Sequence, residues 1–176
     1  TCTDVTVQFD GGHPEAFGTQ YTLSNMLPAT ATYSASTIGY LGTITITDLV
    51  DGDNYSFEVI DDNGCTHTFA GGPFSEQPVA DAGTNDDVCA LSYTLNATAS
   101  VGVGTWTGPA GANYAPNAND PAATVTVTTP GTHTFTWTEV NGVCTDAATV
   151  DITFSDLSFT ENVTQSTCGN PDGQIV

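Results

Sequence analysis

Residues 132–140 have the sequence THTFTWTEV, and this short stretch decides the fold class. Phe135 and Trp137 alternate with threonines, so the aromatic side chains fall on one face and the hydroxyl groups on the other. An alternation with a period of two is typical of a β-strand that has one buried face and one face in water. The stretch therefore predicts a half-buried strand that places Trp137 in a core.

The same alternation recurs along most of the chain. It is present in VTVQF at 5–9 and in TVDITF at 149–154, and comparable runs lie near 43–49, 55–60, 92–98 and 123–128. Turn pairs such as Asp-Gly, Asn-Gly and Gly-Pro separate these runs, and no window keeps the apolar spacing of a helix. We therefore predict an all-β fold made of small antiparallel β-sandwiches.

The charge balance excludes several classes of partner and of chemistry. The chain carries 20 Asp and Glu residues, no Lys or Arg, and a net charge of −20. Such a surface repels nucleic-acid phosphates and anionic lipid headgroups, while it attracts divalent cations. We expect no nucleic-acid binding and, because no apolar run approaches the roughly 20 residues of a spanning helix, no membrane insertion.

Composition shifts divide the chain. Residues 71–83, GGPFSEQPVADAG, combine Gly-Gly-Pro with a second proline and are typical of a short, stiff linker. A second break falls in SDLSF, just after the alternating run that ends at residue 154. We predict one sandwich at 1–75, a second at 76–155, and the first strands of a following module, or a donated strand, at 156–176. Sandwiches of this size have marginal cores.

Five cysteines indicate disulfides and an oxidising, extracellular location. None forms a CxxC pair or lies at zinc-ligand spacing from a histidine. The division into modules suggests the pairs Cys2–Cys65 and Cys89–Cys144, each contributing about 4 kcal/mol in the chain-entropy model. Cys168 is then the odd cysteine. It is expected to pair beyond residue 176, or else to be a free or intermolecular thiol.

Motifs of catalysis are missing from the sequence, so we expect a protein that is not an enzyme. It contains no GxSxG elbow, no HExxH pair and no Walker loop. His13, His67 and His133 are scattered, and each is more simply a structural or surface histidine.

Calcium is the one cofactor that the sequence brings into consideration. Asp51, Asp53 and Asn54 begin like a calcium loop, but Ser56 stands where an EF-hand needs Gly, and Asp62 replaces its final Glu. A simple hairpin turn is the alternative there. A second candidate group, near the expected linker, consists of Asp81, Asp86 and Asp87. These carboxylates are alternatively solvated turn residues.

Trp106 is a candidate for binding a glycan. It lies in GTWTGP, beside a Gly-Pro pair, where an exposed ring could stack on a sugar. Trp137 belongs instead to the alternating face of a strand, which favours core packing.

Two segments resemble a known repeat. LVDGDNYSFEVIDDNGCTHTF at 49–69 resembles the end, and STCGNPDGQIV at 166–176 the start, of the SprB-type repeat of gliding-motility adhesins of Bacteroidetes. The segments at 78–100 and 131–154 resemble the PKD-like or immunoglobulin-like repeats of surface and type IX-secreted proteins of those bacteria. TCTDVTVQFDGG at 1–12 is also similar to VCTDAATVDITF at 143–154, so Cys2 could belong to a preceding module.

The resemblance implies an extracellular repeat protein that acts as a stalk, a filament or an adhesin. Expected partners are copies of itself or neighbouring repeats arranged head to tail, or a surface glycan or protein. In one form of the head-to-tail arrangement, residues 157–176 complete the sheet of a neighbouring subunit. The alternatives are a ligand- or glycan-binding adhesin module and an accessory part of a secreted enzyme.

Overall fold

The computed structural model describes residues 2–10, 20–157, 163–164 and 174–175. Within these residues the chain forms sixteen β-strands and no helix, so the prediction of an all-β fold is confirmed. The strands belong to two β-sandwiches and one short strand pair. We call the sandwich that precedes residue 72 the first sandwich and the one that follows residue 80 the second sandwich.

The first sandwich packs a three-stranded sheet on a four-stranded sheet. The three-stranded sheet has the order β1 (Val5–Gln8), β5 (Thr43–Thr47), β3 (Thr32–Tyr33). The four-stranded sheet has the order β4 (Thr37–Gly39), β2 (Gln20–Leu27), β6 (Tyr55–Ile60), β7 (Thr66–Gly71). All pairs within these two sheets are antiparallel.

Alternate side chains of these strands form the core of the first sandwich. Val7 and Phe9 point inward, as VTVQF predicts, and they pack with Tyr21, Ile46 and Phe57. The Phe9 ring lies 5.6 Å from the Tyr21 ring and 6.3 Å from the Phe57 ring, measured between centroids. The threonines between the inward positions are exposed or half-buried, which accounts for the alternating sequence.

The second sandwich packs a four-stranded sheet on a three-stranded sheet. The four-stranded sheet has the order β10 (Val103–Thr107), β13 (Gly131–Asn141), β14 (Cys144–Phe154), β8 (Asp86–Val88). The three-stranded sheet has the order β11 (Asn113–Ala115), β12 (Thr124–Thr126), β9 (Ser92–Thr94). Strand β8 pairs with β14 in parallel, unlike the antiparallel pairing expected throughout.

A long hairpin of β13 and β14 organises the second sandwich. Its eleven residue pairs run from Gly131 opposite Phe154 to Asn141 opposite Cys144, so the turn consists of two residues. Phe135 and Trp137 of β13 are buried, as THTFTWTEV predicts. The inward side chains of β14 are buried as well, namely Val150, Ile152 and Phe154.

Glu139 is a buried carboxylate in a chain that has no Lys or Arg. Its Oε1 accepts hydrogen bonds from the backbone N–H of Ser100 at 2.9 Å and from the indole N–H of Trp137 at 3.1 Å. Its Oε2 accepts a hydrogen bond from the Ser100 hydroxyl. Three donors offset part of the cost of burying the carboxylate. Glu139 therefore ties the loop at Ser100 to the core strand β13.

Gly104 is required by the packing of Trp137. It lies opposite Glu139 in the ladder of β10 and β13, and a Cβ atom at this position would overlap the Trp137 ring. A side chain there would displace the indole, and with it the hydrogen bond to Glu139.

The last strands are β15 (Val163–Thr164) and β16 (Gln174–Ile175), which pair antiparallel with each other. They lie in the segment for which the sequence predicts either the start of a following module or a donated strand. Cys168 lies outside the described residues.

Candidate functional site at the joint between the sandwiches

A disulfide joins the two sandwiches to each other. Cys2, which precedes β1, is bonded to Cys144, the first residue of β14, with 5.8 Å between the Cα atoms. The predicted pairs Cys2–Cys65 and Cys89–Cys144 are therefore wrong. Cys65 and Cys89 are exposed free thiols.

Strand length explains why the predicted pairs do not form. Cys89 follows β8, whose last residue pairs with Phe154, so it lies at the end of β14 opposite to Cys144. A strand of this length spans more than 30 Å at about 3.3 Å per residue, whereas the Cα atoms of a disulfide lie within about 7 Å of each other. Cys65 likewise lies in the turn between β6 and β7, at the end of the first sandwich remote from the joint.

The linker between the sandwiches is hydrogen-bonded along its length. Five backbone N–H groups of the linker donate hydrogen bonds. They run from Phe74 to the Asp53 carbonyl (2.8 Å), from Glu76 to Asp51 Oδ1 (3.1 Å), from Gln77 to the Cys2 carbonyl (2.8 Å), from Val79 to Ser100 Oγ (2.9 Å) and from Ala80 to Asp146 Oδ2 (2.9 Å). Acceptors up to Gln77 belong to the first sandwich or its leading residues, and those from Val79 onward belong to the second. Because these backbone groups are paired at intervals along the linker, the linker has few conformations open to it.

Two buried side chains fix the linker further. Phe74 is 6 % exposed, and its carbonyl accepts a hydrogen bond from Gly52 N–H at 2.8 Å. Pro78 is also fully buried. Gly72 has a φ of +118°, and a Cβ atom there would lie 2.7 Å from the Cα of Asn54, so only glycine fits where the chain leaves β7.

Asp51 connects the first sandwich to the end of β13 in the second, beside the hairpin turn. Its Oδ1 accepts a hydrogen bond from the Asn141 side-chain amide at 2.6 Å and one from Glu76 N–H at 3.1 Å. The same amide nitrogen of Asn141 donates to the Glu76 carbonyl at 3.0 Å. Gln77 makes a similar crossing contact, because its side-chain amide donates to the Thr145 carbonyl at 2.9 Å.

These hydrogen bonds make the joint sensitive to acid. The bond from Asn141, and after it the bond from Glu76 N–H, holds the pKa of Asp51 below its ordinary value of 3.8. Because the folded pKa is the lower one, the contribution of Asp51 to stability is present above pH 3.8 and is lost as the pH falls through the folded pKa.

We expect Asn141→Ala to raise the pKa of Asp51 toward 3.8, since it removes the larger of the two causes. Carbon-13 NMR titration of the Asp51 carboxyl group measures this shift directly. Asn119→Ala is the matched control, because Asn119 donates to Gly104 and Thr105 instead. An Asp51 pKa that is the same in the original chain and in both variants would contradict this account of the joint.

The two chain ends of the first sandwich lie together at the joint. Cys2 and Gln77 are hydrogen-bonded to each other through their backbones, although the whole first sandwich lies between them in the sequence. Strand β1 begins beside this point and β7 ends beside it, because Val5 and Gly72 line the same small cleft as Cys144. The first sandwich therefore projects from the joint, with the Cys65 turn at its far end.

The residues considered for calcium have other partners. Asp53 accepts a hydrogen bond from Val50 N–H at 2.9 Å, Asp81 accepts one from Gly83 N–H at 2.9 Å, and Asp86 accepts one from the Tyr93 hydroxyl at 2.9 Å. In the part of the chain that the structure describes, no three His, Cys, Asp or Glu side chains are grouped so that they could hold a metal ion. The turn that begins at Asp51 contributes hydrogen bonds to the joint, because Asp51 accepts them from Glu76 and Asn141.

Asp86, Asp87 and Asp151 border an open depression on the second sandwich, beside Thr132 and Thr153. Asp81 lies apart from it, in an isolated bridge to Thr98. Calcium binding stays a prediction from the sequence.

The predicted glycan-stacking role of Trp106 is wrong. Its side chain is 1 % exposed, and its indole N–H donates to the Pro121 carbonyl at 3.2 Å. The ring packs against Trp137, with 5.2 Å between the ring centroids. A ring covered in this way has no face open to a sugar. The Gly-Pro pair indicated a loop, but Trp106 lies in β10 and pairs with Trp137.

Four residues of the joint were not singled out from the sequence: Phe74, Glu76, Gln77 and Asn141. Signals in the sequence could have indicated two of them, Phe74 and Asn141. Phe74 is an aromatic residue inside a Gly- and Pro-rich linker, where a buried anchor is the simplest reason for it. Asn141 precedes Gly142 in a turn pair, so it had to lie at a hairpin tip, but its partner on the first sandwich has no local signal.

The comparisons with known proteins concern the fold alone. No family model matches the sequence, and no curated protein matches it. Among solved structures, the C-terminal 282-residue fragment of intimin, in complex with the intimin-binding domain of its translocated receptor, is 15 % identical, with a TM-score of 0.49. The match covers 82 % of this chain and 55 % of that one, so the chain spans about half the length of the fragment.

Two further structures are similar at lower scores. N-cadherin EC1-3 of Drosophila is 10 % identical, with a TM-score of 0.32, over 79 % of this chain and 55 % of that one. An endo-fucoidan hydrolase of glycoside hydrolase family 107 is 20 % identical, with a TM-score of 0.35, over 93 % and 28 %. None of these matches gives evidence for the resemblance to SprB-type repeats. Among the described residues, no helix is long and apolar enough to span a membrane.

Proposed function

We propose that the chain is a non-catalytic structural segment of an adhesion-type protein that acts outside the cell. The observation that carries the proposal is the joint, where a disulfide and a hydrogen-bonded linker hold two small sandwiches in a fixed arrangement. An enzyme needs a cleft with convergent polar groups, whereas a spacer needs a defined shape. The joint provides a defined shape.

Chemistry supports an extracellular location for this segment. Disulfides persist in oxidising compartments and are rare in the cytosol. The net charge of −20 keeps copies apart in solution, and the absence of Lys and Arg leaves trypsin-like proteases no cleavage site. Expected partners are neighbouring repeats of the same polypeptide or a protein on an opposing surface.

Surface labelling of the cells that make the protein tests the proposal. An antibody against the folded segment is expected to label intact cells, and deletion of residues 1–157 is expected to reduce attachment of those cells to a surface or to each other. A cytosolic protein of the same cells serves as the permeability control. Labelling that requires lysis of the cells would overturn the extracellular location, and unchanged attachment would overturn the adhesion-type role.

A groove on the first sandwich favours a second candidate function, binding of a cationic peptide. The groove has a volume of about 420 Å³ and lies between β1 and β7, the edge strands of the two sheets. Its apolar lining comprises Val7, Phe9, Tyr21, Val59 and Phe69, and the carboxylates beside it are Asp10 and Asp61. Among the described residues, β1 and β7 pair with no further strand at these edges, so an extended peptide that alternates apolar and basic side chains fits both the edges and the charge.

NMR titration with two synthetic peptides tests this second function. The sequence KVKVKVK is expected to shift the resonances of Val7, His67 and Phe69, whereas EVEVEVE at the same concentration is expected to shift none of them. Phe69→Ser should weaken the effect of the basic peptide, while Val143→Ala, at a position that is 94 % exposed on the second sandwich, should not. Shifts spread evenly over all acidic surfaces would show charge attraction alone and would contradict a site.

A further inference from the structure

The position of the disulfide decides which part of the chain carries tension. Cys2 and Cys144 are 142 positions apart in the sequence, and the bond between them closes the intervening chain into a loop. That loop contains all of the first sandwich and every strand of the second sandwich except β14. A force that enters the chain before Cys2 therefore reaches β14 directly through the two sulfur atoms.

We propose that the Cys2–Cys144 bond is a mechanical bypass, which leads tension from the chain before Cys2 into β14 and out beyond Phe154 without loading the first sandwich or the other strands of the second. The proposal rests on the proposed function only in assuming that the segment is under tension in use. The path of the force itself follows from the covalent connectivity.

Strand β14 is suited to this role because it is already extended. A strand rises by about 3.3–3.4 Å per residue, and the limit of a fully extended chain is about 3.6 Å per residue. The eleven residues of β14 can therefore lengthen by only a few ångströms before the backbone itself resists. Both ends of the loaded piece belong to one strand, so its ladders with β13 and β8 need not be sheared apart.

The consequence for the first sandwich is that it projects from the path of the force. Its chain ends meet at the joint through the bond between Cys2 O and Gln77 N–H. Neither end is pulled away from the other, since the disulfide takes up the tension beside them. The far end of the first sandwich, with the groove between β1 and β7, thus keeps its folded shape while the chain is pulled.

Single-molecule force spectroscopy on the full chain tests the bypass. Handles are attached enzymatically at the two termini, and Cys65→Ser, Cys89→Ser and Cys168→Ser are introduced together in all samples so that no other cysteine exchanges with the disulfide. A separation of 142 residues corresponds to about 500 Å of extended chain at about 3.5 Å per residue. We expect the oxidised chain to unfold under force without releasing this length. When a reducing agent is added during the pull, we expect the additional length to be released.

A variant without the disulfide is the control for effects of the reducing agent. The variant with Cys2→Ser and Cys144→Ser should release the same length of about 500 Å without reductant. If that variant does not fold, reduction of the original chain in the clamp still gives the answer. Release of about 500 Å from the chain without reductant would show that no disulfide closes this loop and would overturn the bypass. Absence of the protein from the cell surface would instead overturn the proposed function and leave the path of the force unchanged.

Discussion

Replacing both Cys2 and Cys144 by Ser is expected to lower the free energy of unfolding by about 5 kcal/mol, the chain-entropy value for a loop of this length. Sequence separation is what makes the effect large, because the bond spans 142 positions. A domain has only about 5–15 kcal/mol of stability in total. The loss would therefore leave much of the double variant unfolded at moderate temperature.

Denaturant unfolding followed by tryptophan fluorescence measures this loss, since Trp106 and Trp137 are both in the core of the second sandwich. Cys65→Ser is the control, because Cys65 is an exposed thiol and its replacement should change the free energy by less than about 0.5 kcal/mol. Equal midpoints for the double variant and the control would contradict the view that the disulfide holds the segment together.

Trp137→Ala is expected to lower the free energy of unfolding by about 3–5 kcal/mol, the usual range for removing a large aromatic side chain from a core. The indole is 1 % exposed, packs on Trp106 and donates a hydrogen bond to the buried Glu139. The variant loses the packing and leaves the Glu139 carboxylate with one donor fewer in a buried site, which adds to the cost.

Thermal unfolding of this variant should be compared with that of Val143→Ala, whose side chain lies 94 % exposed in the turn of the same hairpin. The control should differ from the original chain by less than about 0.5 kcal/mol. A loss below about 1 kcal/mol for Trp137→Ala would show that the pair of tryptophans is not a centre of the core.

The strands could be predicted from the sequence because their signal is local. In residues 132–140 the alternation of aromatic residues with threonine is enough to place Phe135 and Trp137 inside. The same reasoning places Val7 and Phe9 in the other core. The burial of each of these side chains is indicated by the residues directly before and after it, so it can be predicted without knowing the rest of the chain.

The joint could not be predicted because its partners are distant in sequence. Cys2 and Cys144 are 142 positions apart and Asp51 and Asn141 are 90 apart, so these pairs are neighbours only in the folded arrangement of the two sandwiches. The division into modules suggested that each cysteine pairs within its own module, but strand lengths place Cys65 and Cys89 at the ends remote from the joint. The burial of Trp106 is not evident from the sequence for a related reason, since its Gly-Pro neighbours indicate a loop and the ring that covers it, Trp137, belongs to β13.

The central claim is that one disulfide crosses from Cys2 to Cys144, and peptide mapping of the unreduced protein tests it most directly. Pepsin at acid pH suits the purpose, because the chain has no Lys or Arg for trypsin and acid suppresses thiol exchange. We expect one linked peptide pair containing Cys2 and Cys144, with Cys65 and Cys89 not bonded to either of them. Linked peptides that join Cys2 to Cys65, or Cys89 to Cys144, would contradict the account.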